Sequence, residues 1–496
     1  MKNETVDVVV IGAGLSGIGA AVHLSKRCPG KSYRILEGRD AIGGTWDLFR
    51  YPGIRSDSDM FTLGYNFKPW TSENNLADGP SILNYIKEAA DEYNVTDNIH
   101  FGAGVKAVAW DSDTSRWSIQ YTDKASGKNQ TIVANFIISC TGYYNYDKGH
   151  EPEFKGSEDF KGQIIHPQKW PEDLDYSGKR VTVIGSGATA VTLVPEMSAK
   201  ASHVTMLQRS PTYMAAVPAK DNKVKLLNKY LSEKWAYRIL RTQKVGFQSM
   251  FYNVSRVFPK QIRNVLLTDI RNKVGEGVDM KHFKPSYNPW DERLCAVKSG
   301  DLFRKVKSGE VDIVTDHIDC FTETGIRLKS GEELPSDIIV TATGLNLQFF
   351  SGIDISVDGE KFDHTQKMNY KGVMLEDLPN IGFTFGYTNS SWTLKADLTS
   401  EYLCRVINDL DKRKSQKAMP VNRDDNITSD SFLSFQSGYV QRAVSEFPQM
   451  GSKMPWRLYQ SYPVDLALLR YGRLHDGIMQ YSTSLSREKS TLEEAV

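Results

Sequence analysis

Two stretches of the chain carry the same order of apolar and polar positions. Val6 to Ile11, VDVVVI, is apolar at nearly every position over the length of one strand. That pattern predicts a strand covered on both faces in a parallel sheet. Gly12-Ala13-Gly14-Leu15-Ser16-Gly17 follows at once, then a helix-like segment, GAAVHLSKR, and then a second strand, YRILE, which ends at Glu37. The order is that of a βαβ dinucleotide unit. Gly12 permits the tight turn, Gly14 lets the backbone approach a pyrophosphate, and Gly17 lets helix and strand pack closely. The helix start adds free N–H groups and a partial positive charge for phosphates. About 170 residues later the device returns as RVTVI, Gly185-Ser186-Gly187-Ala188-Thr189-Ala190, a helix, and VTMLQR. Two copies imply two bound nucleotides.

The copies differ where the second strand ends. The first places Glu37 there and the second places Gln208 and Arg209. A carboxylate accepts bonds from ribose hydroxyls and repels a 2′-phosphate, whereas an arginine clamps that phosphate with its planar fork. The first site is therefore expected to take the adenosine of FAD and the second to take NADPH. Ser210 and Thr212 are candidate hydroxyl donors beside Arg209.

A chain of 496 residues is too long for one core, so two or three domains are expected. The formal net charge of +1 gives no global field to recruit nucleic acid. The five cysteines (Cys28, Cys140, Cys295, Cys320, Cys404) form neither a C-x-x-C pair nor a zinc-ligand pattern. They suit a reducing compartment and exclude a dithiol flavin reductase. Lys2 is followed by Glu4 and Asp7, which reads as the approach to a strand rather than a signal peptide. No apolar run approaches the roughly 20 residues of a membrane span, and the expected location is cytoplasmic.

The stretch 218–295 reads as a helical insert. Lys223, Lys225, Lys229, Lys234, Arg238, Arg241 and Lys244 alternate there with Trp235, Tyr237 and Phe247. A helical cap over the substrate cavity with a solvated basic face is the favoured reading; peripheral contact with a membrane surface is the alternative. The tail from Arg487, REKSTLEEAV, is charged and expected to fray.

Two further motifs carry a family resemblance. Phe160 to Pro171 reads F-x-G-x-x-x-H-x-x-x-W-P, with Phe160, Gly162, His166, Trp170 and Pro171 at its fixed positions. Gly43 to Asp57 reads G-G-x-W-x-x-x-x-Y-P-G-x-x-x-D. Together they resemble the fingerprints of Baeyer–Villiger monooxygenases. The segments YNPWDERLC and GYTNSSWTLKADL are similar to the branch of that family which activates ethionamide. By residue pattern alone, the Phe160–Pro171 segment is as well explained by a packed interdomain hinge with His166 hydrogen-bonded.

The resemblance implies an α/β fold with two Rossmann-like dinucleotide-binding domains, for FAD and NADPH, and a helical insert in the NADPH domain. The Thr-Gly exits ISCTG and TATG then mark the crossings between domains. They place the FAD domain at 1–145 with its return at 345–496, and the NADPH domain at 146–217 and 296–344 around the insert. The implied chemistry is oxygen insertion beside a ketone carbonyl through a C4a-peroxyflavin, with NADPH and O₂ as co-substrates, and oxidation of sulfides and thioamides as a second activity. Arg293 matches the family's active-site arginine and Asp57 the carboxylate that pairs with it; an aspartate beside that cation is expected to stay ionised. Ser16 and Glu37 would hold the FAD pyrophosphate and ribose, Thr45, Trp46, Asp47, Leu48, Arg55, Ser56 and Asp57 would line the flavin, and Val105 would touch adenine. Many relatives carry a lysine immediately before the arginine; here Glu292 stands in its place, so NADPH preference leans on Arg209.

Two other functions compete: an N- or S-oxygenating flavin monooxygenase without ketone chemistry, and a redox-responsive module that binds both nucleotides without catalysis. Substrates are expected to be small and hydrophobic; Phe61, Tyr65, Trp392 and Leu394 hint at a hydrophobic pocket, although such residues more often belong to a core.

Overall fold

The computed structural model describes residues 4–433 and 437–483; the Arg487 tail and Lys2 lie outside them. The first apolar run is strand β1 (Glu4–Ile11), followed by helix α1 (Leu15–Arg27) and strand β2 (Tyr33–Glu37). β1 pairs in parallel with β2 on one side. Strand β3 (Ile99–Phe101) extends that side beyond β2. An antiparallel meander, β4 (Ala103–Asp111), β5 (Arg116–Asp123) and β6 (Lys128–Ser139), pairs with the other side of β1 through β6. The strand Ile381–Phe383 returns late in the chain to pair with β6, and the sheet has nine strands among the described residues.

Alternate residues of β1 enter different cores, which is why the strand is apolar throughout. Val8 and Val10 pack with α1 and with the long helix Trp392–Arg413, while Val9 and Ile11 pack on the opposite face with Trp110, Trp117 and Phe383. A strand with one solvated face would have alternated polar with apolar.

The second sheet is parallel and has five strands among the described residues. It contains β7 (Gln163–Ile165), β8 (Arg180–Ile184), β9 (His203–Gln208) and, from late in the chain, Val311–Thr315 and Ile338–Thr341. Helix α2 (Ala188–Met197) covers one face. Each glycine turn rests on the Thr-Gly exit of its own sheet. A Cβ at Gly12 would stand 2.8 Å from the Cys140 carbonyl oxygen, and one at Gly185 would collide with the Ala342 carbonyl oxygen. Both glycines have positive φ, +100° and +137°, so both turns demand glycine twice over.

The segment 218–295 is helical over α3 (Lys223–Tyr230), α4 (Glu233–Val257) and α5 (Pro259–Val274). The basic face read from the sequence needs correction. Arg241 and Tyr237 are buried, because α4 turns them onto the first domain's Phe61–Tyr65 turn.

Candidate active site

The two nucleotide units open on one cavity of about 580 Å³. Its walls take Gly12, Gly14, Ser16, Glu37, Thr45, Trp46, Arg55, Ser56, Asp57 and Val105 from the first unit. Ala188 and Thr189 join them from the start of α2, and Arg293 from the loop before the short strand Cys295–Lys298. The fingerprint loop makes this convergence possible. Gly53 has φ +74° and sits so close to α2 that a Cβ there would press on Glu196 and the Thr192 carbonyl. Tyr51, from the same loop, is buried in the second sheet's core.

The first unit fits a bound dinucleotide. Helix α1 starts at Gly14 with no side-chain cap, so its first amide donors are free for a pyrophosphate. A Cβ at Gly17 would collide with the Gly12 carbonyl, so Gly17 secures the turn from behind rather than lining the cavity. Glu37 is buried at the end of β2, with its carboxylate accepting from the amides of Ala13 at 2.6 Å and Arg39 at 2.8 Å. Burial raises its pKa, and those two amides pull it back. Each carboxylate oxygen keeps acceptor capacity for a ribose hydroxyl. The Nε atoms of Arg39 and Arg55 are buried donors with no partner, and both arginines line the cavity. Unmet buried donors around an open cradle suit a polyanionic ligand.

Several predicted residues lie elsewhere. Asp47 is held by Arg39 at 2.6 Å and Arg50 at 2.7 Å, and Leu48 packs against the second sheet's core, so neither lines the cavity. Phe61, Tyr65 and Leu394 are core residues at 0, 1 and 0% exposure. Trp392 does line the cavity: its indole donates to Ser16 Oγ at 2.7 Å and stacks on Tyr143. Ser16 Oγ thus accepts from Trp392 and keeps its own proton to donate to a phosphate.

In the second unit α2 begins at Gly187 without a side-chain cap, and beside Gly187 there is open space within 4 Å. Gly185, Ser186, Gly187 and Ala190 do not line the cavity: Gly187 is exposed, Ala190 is fully buried and Ser186 donates to the Ser210 carbonyl. Arg209 and Ser210 are exposed at the end of β9, outside the cavity. Thr212 is not presented beside them; it is buried and bonds the Tyr287 hydroxyl. Arg209 has two charged neighbours that the sequence pattern did not mark. Burial raises the pKa of Glu292 against the pull of Arg209, and burial and then Arg209 lower that of Arg442. The Arg442 guanidinium lies beside Gly344, the end of the second sheet's exit. A pair of close cations suits a phosphate.

The Phe160–Pro171 motif stays away from the cavity and ties the two crossings together. His166 Nε2 reaches the Gly344 carbonyl at 3.2 Å while Nδ1 accepts from the Gln168 amide, and Gln168 Nε2 donates to the Asn145 carbonyl at 2.8 Å. The exits themselves run together through Asn145 N to Asn346 O and His150 N to Gly344 O. Burial lowers the His166 pKa, so the ring is neutral and serves as a crosslink. Phe160 packs with Phe321, Gly162 leaves no room for a Cβ beside Asp337, and Trp170 packs on the second sheet's core, with Pro171 following it.

Arg293 is enclosed by aromatic hydroxyls. Burial works against its charge, yet Tyr143, Tyr439, Tyr144 and Asp57 hold its pKa above the ordinary arginine value. Tyr143 and Tyr439 line the cavity beside it, and the Tyr143 and Tyr144 hydroxyls bond each other at 2.9 Å. The tyrosines come from the first Thr-Gly exit and a distant C-terminal segment, so no local motif could have flagged them. Burial raises the Asp57 pKa, with Arg293 and then Arg55 opposing. In direction, desolvation thus outweighs the stabilisation expected from the cation. The result is a permanent cation, its counter-charge and three tyrosines around one end of a cavity that both nucleotide units share.

Fold and site together define a flavoprotein oxidoreductase built on two dinucleotide-binding units. The flavin-binding monooxygenase-like family matches residues 65–442, and an NAD(P)-binding Rossmann-like domain matches residues 10–74. The chain is 52% identical over 481 residues to the FAD-containing monooxygenase EthA of Mycolicibacterium smegmatis, covering 97% of each. Its fold is similar to that of an oxidized steroid monooxygenase bound to NADP (TM-score 0.76, 21% identity, 97% of this chain and 100% of the other). It is also similar to an ε-caprolactone-bound cyclohexanone monooxygenase (TM-score 0.74, 20% identity, the same coverage). The protein belongs to the flavin-binding monooxygenase-like family and is a flavin monooxygenase with FAD and NADP as its cofactors.

Proposed function

We propose that this monooxygenase inserts one oxygen atom beside a ketone carbonyl, giving an ester or lactone, and also oxidises sulfur in sulfides and thioamides. The overall reaction is ketone + O₂ + NADPH + H⁺ → ester + NADP⁺ + H₂O. The observation that carries this reading is Arg293, half-buried with Asp57 and three tyrosines on the wall of the cavity shared by both nucleotide units. Two fingerprints in the sequence support it, and the lactone named with one structural neighbour is in keeping with it.

Bound FAD supplies the transfer of electrons from NADPH to O₂. Glu37 holds its ribose and the α1 amides its pyrophosphate, while Arg55 and Ser56 line its flavin end and Val105 its adenine end. Arg209, with Arg442, clamps the 2′-phosphate of NADPH. Arg293 stabilises negative charge on the oxygen of the reacting carbonyl, and it cannot donate a stray proton there. Asp57 keeps the guanidinium oriented. The enclosing tyrosines and Trp392 exclude water from it. The direct test is turnover under ¹⁸O₂ with a long aliphatic ketone: one labelled atom in the ester supports the assignment. Sulfide oxidation with no ketone product would instead favour the N/S-oxygenating alternative.

Two outcomes check the assigned residues. Arg209→Ala should raise the KM for NADPH about 10- to 100-fold, the worth of one charge-assisted phosphate contact, while the KM for NADH changes little. Equal changes for both cofactors would remove the 2′-phosphate role. Because burial raises the Asp57 pKa, protonation at low pH neutralises it above the usual carboxylate range. Ester formation should therefore fall about tenfold per pH unit on an acid limb displaced upward. Asp57→Asn should be slow at every pH and lack that limb.

A further inference from the structure

Among the described residues, sixteen large apolar side chains are exposed, and eleven of them lie between Leu226 and Val265. They include Tyr230 at 71%, Trp235 at 57% and Val257 at 67% exposure. The segment 222–265 also holds ten lysines and arginines and one acidic residue, Glu233, in a chain whose net charge is +1. Cationic and exposed apolar surface are thus concentrated on the same three helices. This combination exceeds what a solvated cap requires.

The orientation of α4 is fixed, so the apolar side cannot turn inward. Its inner face is tied down by Tyr237, whose hydroxyl donates to the Tyr65 carbonyl at 2.9 Å, by Arg241, and by Gln248, which reaches Asp59 at 2.7 Å. At helical spacing Trp235, Ile239, Met250 and Val257 fall on the other side, with Lys234, Arg238 and Arg256 exposed along its shoulder. Arg238 lies over the Trp235 ring at 5.2 Å and Lys229 over Tyr230 at 5.5 Å. An aromatic ring with a cation beside it matches the boundary between acyl chains and phosphates, where the ring enters the apolar edge and the cation meets the headgroup.

We propose that the outer face of α3 and α4 docks the enzyme on an anionic lipid surface. Charge selects this occupant. A second copy of the chain, paired face to face, would bring two dense sets of cations together, whereas an anionic bilayer neutralises them. The contact is peripheral: among the described residues no helix is long and apolar enough to cross a membrane. Gln248 also bonds Ser390, which lines the cavity, so the docked helix adjoins the cavity wall.

The test is flotation of the FAD-loaded enzyme with phosphatidylcholine vesicles and with vesicles containing roughly one third phosphatidylglycerol, at low and high salt. The enzyme should float with the anionic vesicles alone, and less at high salt. The variant Lys229→Glu/Lys234→Glu/Arg238→Glu should bind at least about tenfold more weakly. Trp235→Ser/Ile239→Ser should lose the binding that resists salt. Both should keep wild-type FAD content and NADPH oxidation. Ile164→Ser, exposed elsewhere at 42%, should float like wild type. No flotation, equal flotation on neutral vesicles, or unchanged flotation of the charge-reversed variant would overturn the proposal. So would apolar variants that convert a dimer to a monomer while leaving flotation unaltered, because the face would then be a contact between copies.

Discussion

Arg293→Ala should lower ester formation at least about a hundredfold while NADPH still reduces FAD at close to the wild-type rate. The side chain is half-buried among Tyr143, Tyr144, Tyr439 and Asp57 on the cavity wall, where removing it leaves no other cation in its place. A preorganised cation beside a developing oxyanion is worth on the order of 3 kcal/mol, a hundredfold or more in rate. Electron delivery depends on other residues, so NADPH consumption should persist and run off to hydrogen peroxide. Flavin bleaching in anaerobic stopped flow and ester yield by gas chromatography separate the two effects. Arg293→Lys should recover part of the charge but lose the planar, permanently protonated fork. A fully active alanine variant would end the proposed role.

Arg241→Ala should destabilise the protein by about 3–5 kcal/mol and lower its Tm by several degrees. One nitrogen of this buried guanidinium serves the carbonyls of Phe61 at 2.8 Å and Gly64 at 2.7 Å, and the other faces Asp397 at 3.3 Å. Asp397 is buried as well, and also meets His23 at 3.1 Å and the Asn66 amide at 2.9 Å. Removing the arginine leaves carbonyls without donors and a carboxylate without its cation, the expensive way to break a buried pair. Urea unfolding and a thermal scan of the FAD-loaded variant would measure it. A loss under about 0.5 kcal/mol, the range of an ordinary surface substitution, would show that Arg241 does not anchor the insert.

The contrast between these two arginines shows what a linear pattern carries. Arg293 was legible through the motif around it, although nothing in that motif announced the tyrosines that hold it. By pattern alone Arg241 is one more basic residue on a solvated face, because Lys234 and Arg238 beside it really are exposed. Only the packing of α4 on the Phe61–Tyr65 turn made it a buried crosslink. Asp47 and Leu48 were misplaced for a similar reason: they lie beside cavity residues in the chain, but a short helical turn, Thr45–Leu48, sends them to the opposite side.

What the sequence determined by itself is local. Two glycine turns follow strands apolar on both faces, and the residue closing each unit is Glu37 in one and Arg209 in the other. These depend on steric and electrostatic demands within some thirty residues, so they survive in the order of the amino acids. What the tertiary structure alone decided is convergence: Tyr439 beside Arg293, Arg442 beside Gly344, Trp392 bonding Ser16, and His166 locking two crossings that are nearly two hundred residues apart. These pairings form only when both sheets and the long returning segment are packed. Their energy comes from burial and desolvation between distant parts of the chain, and such terms leave no periodic mark along it.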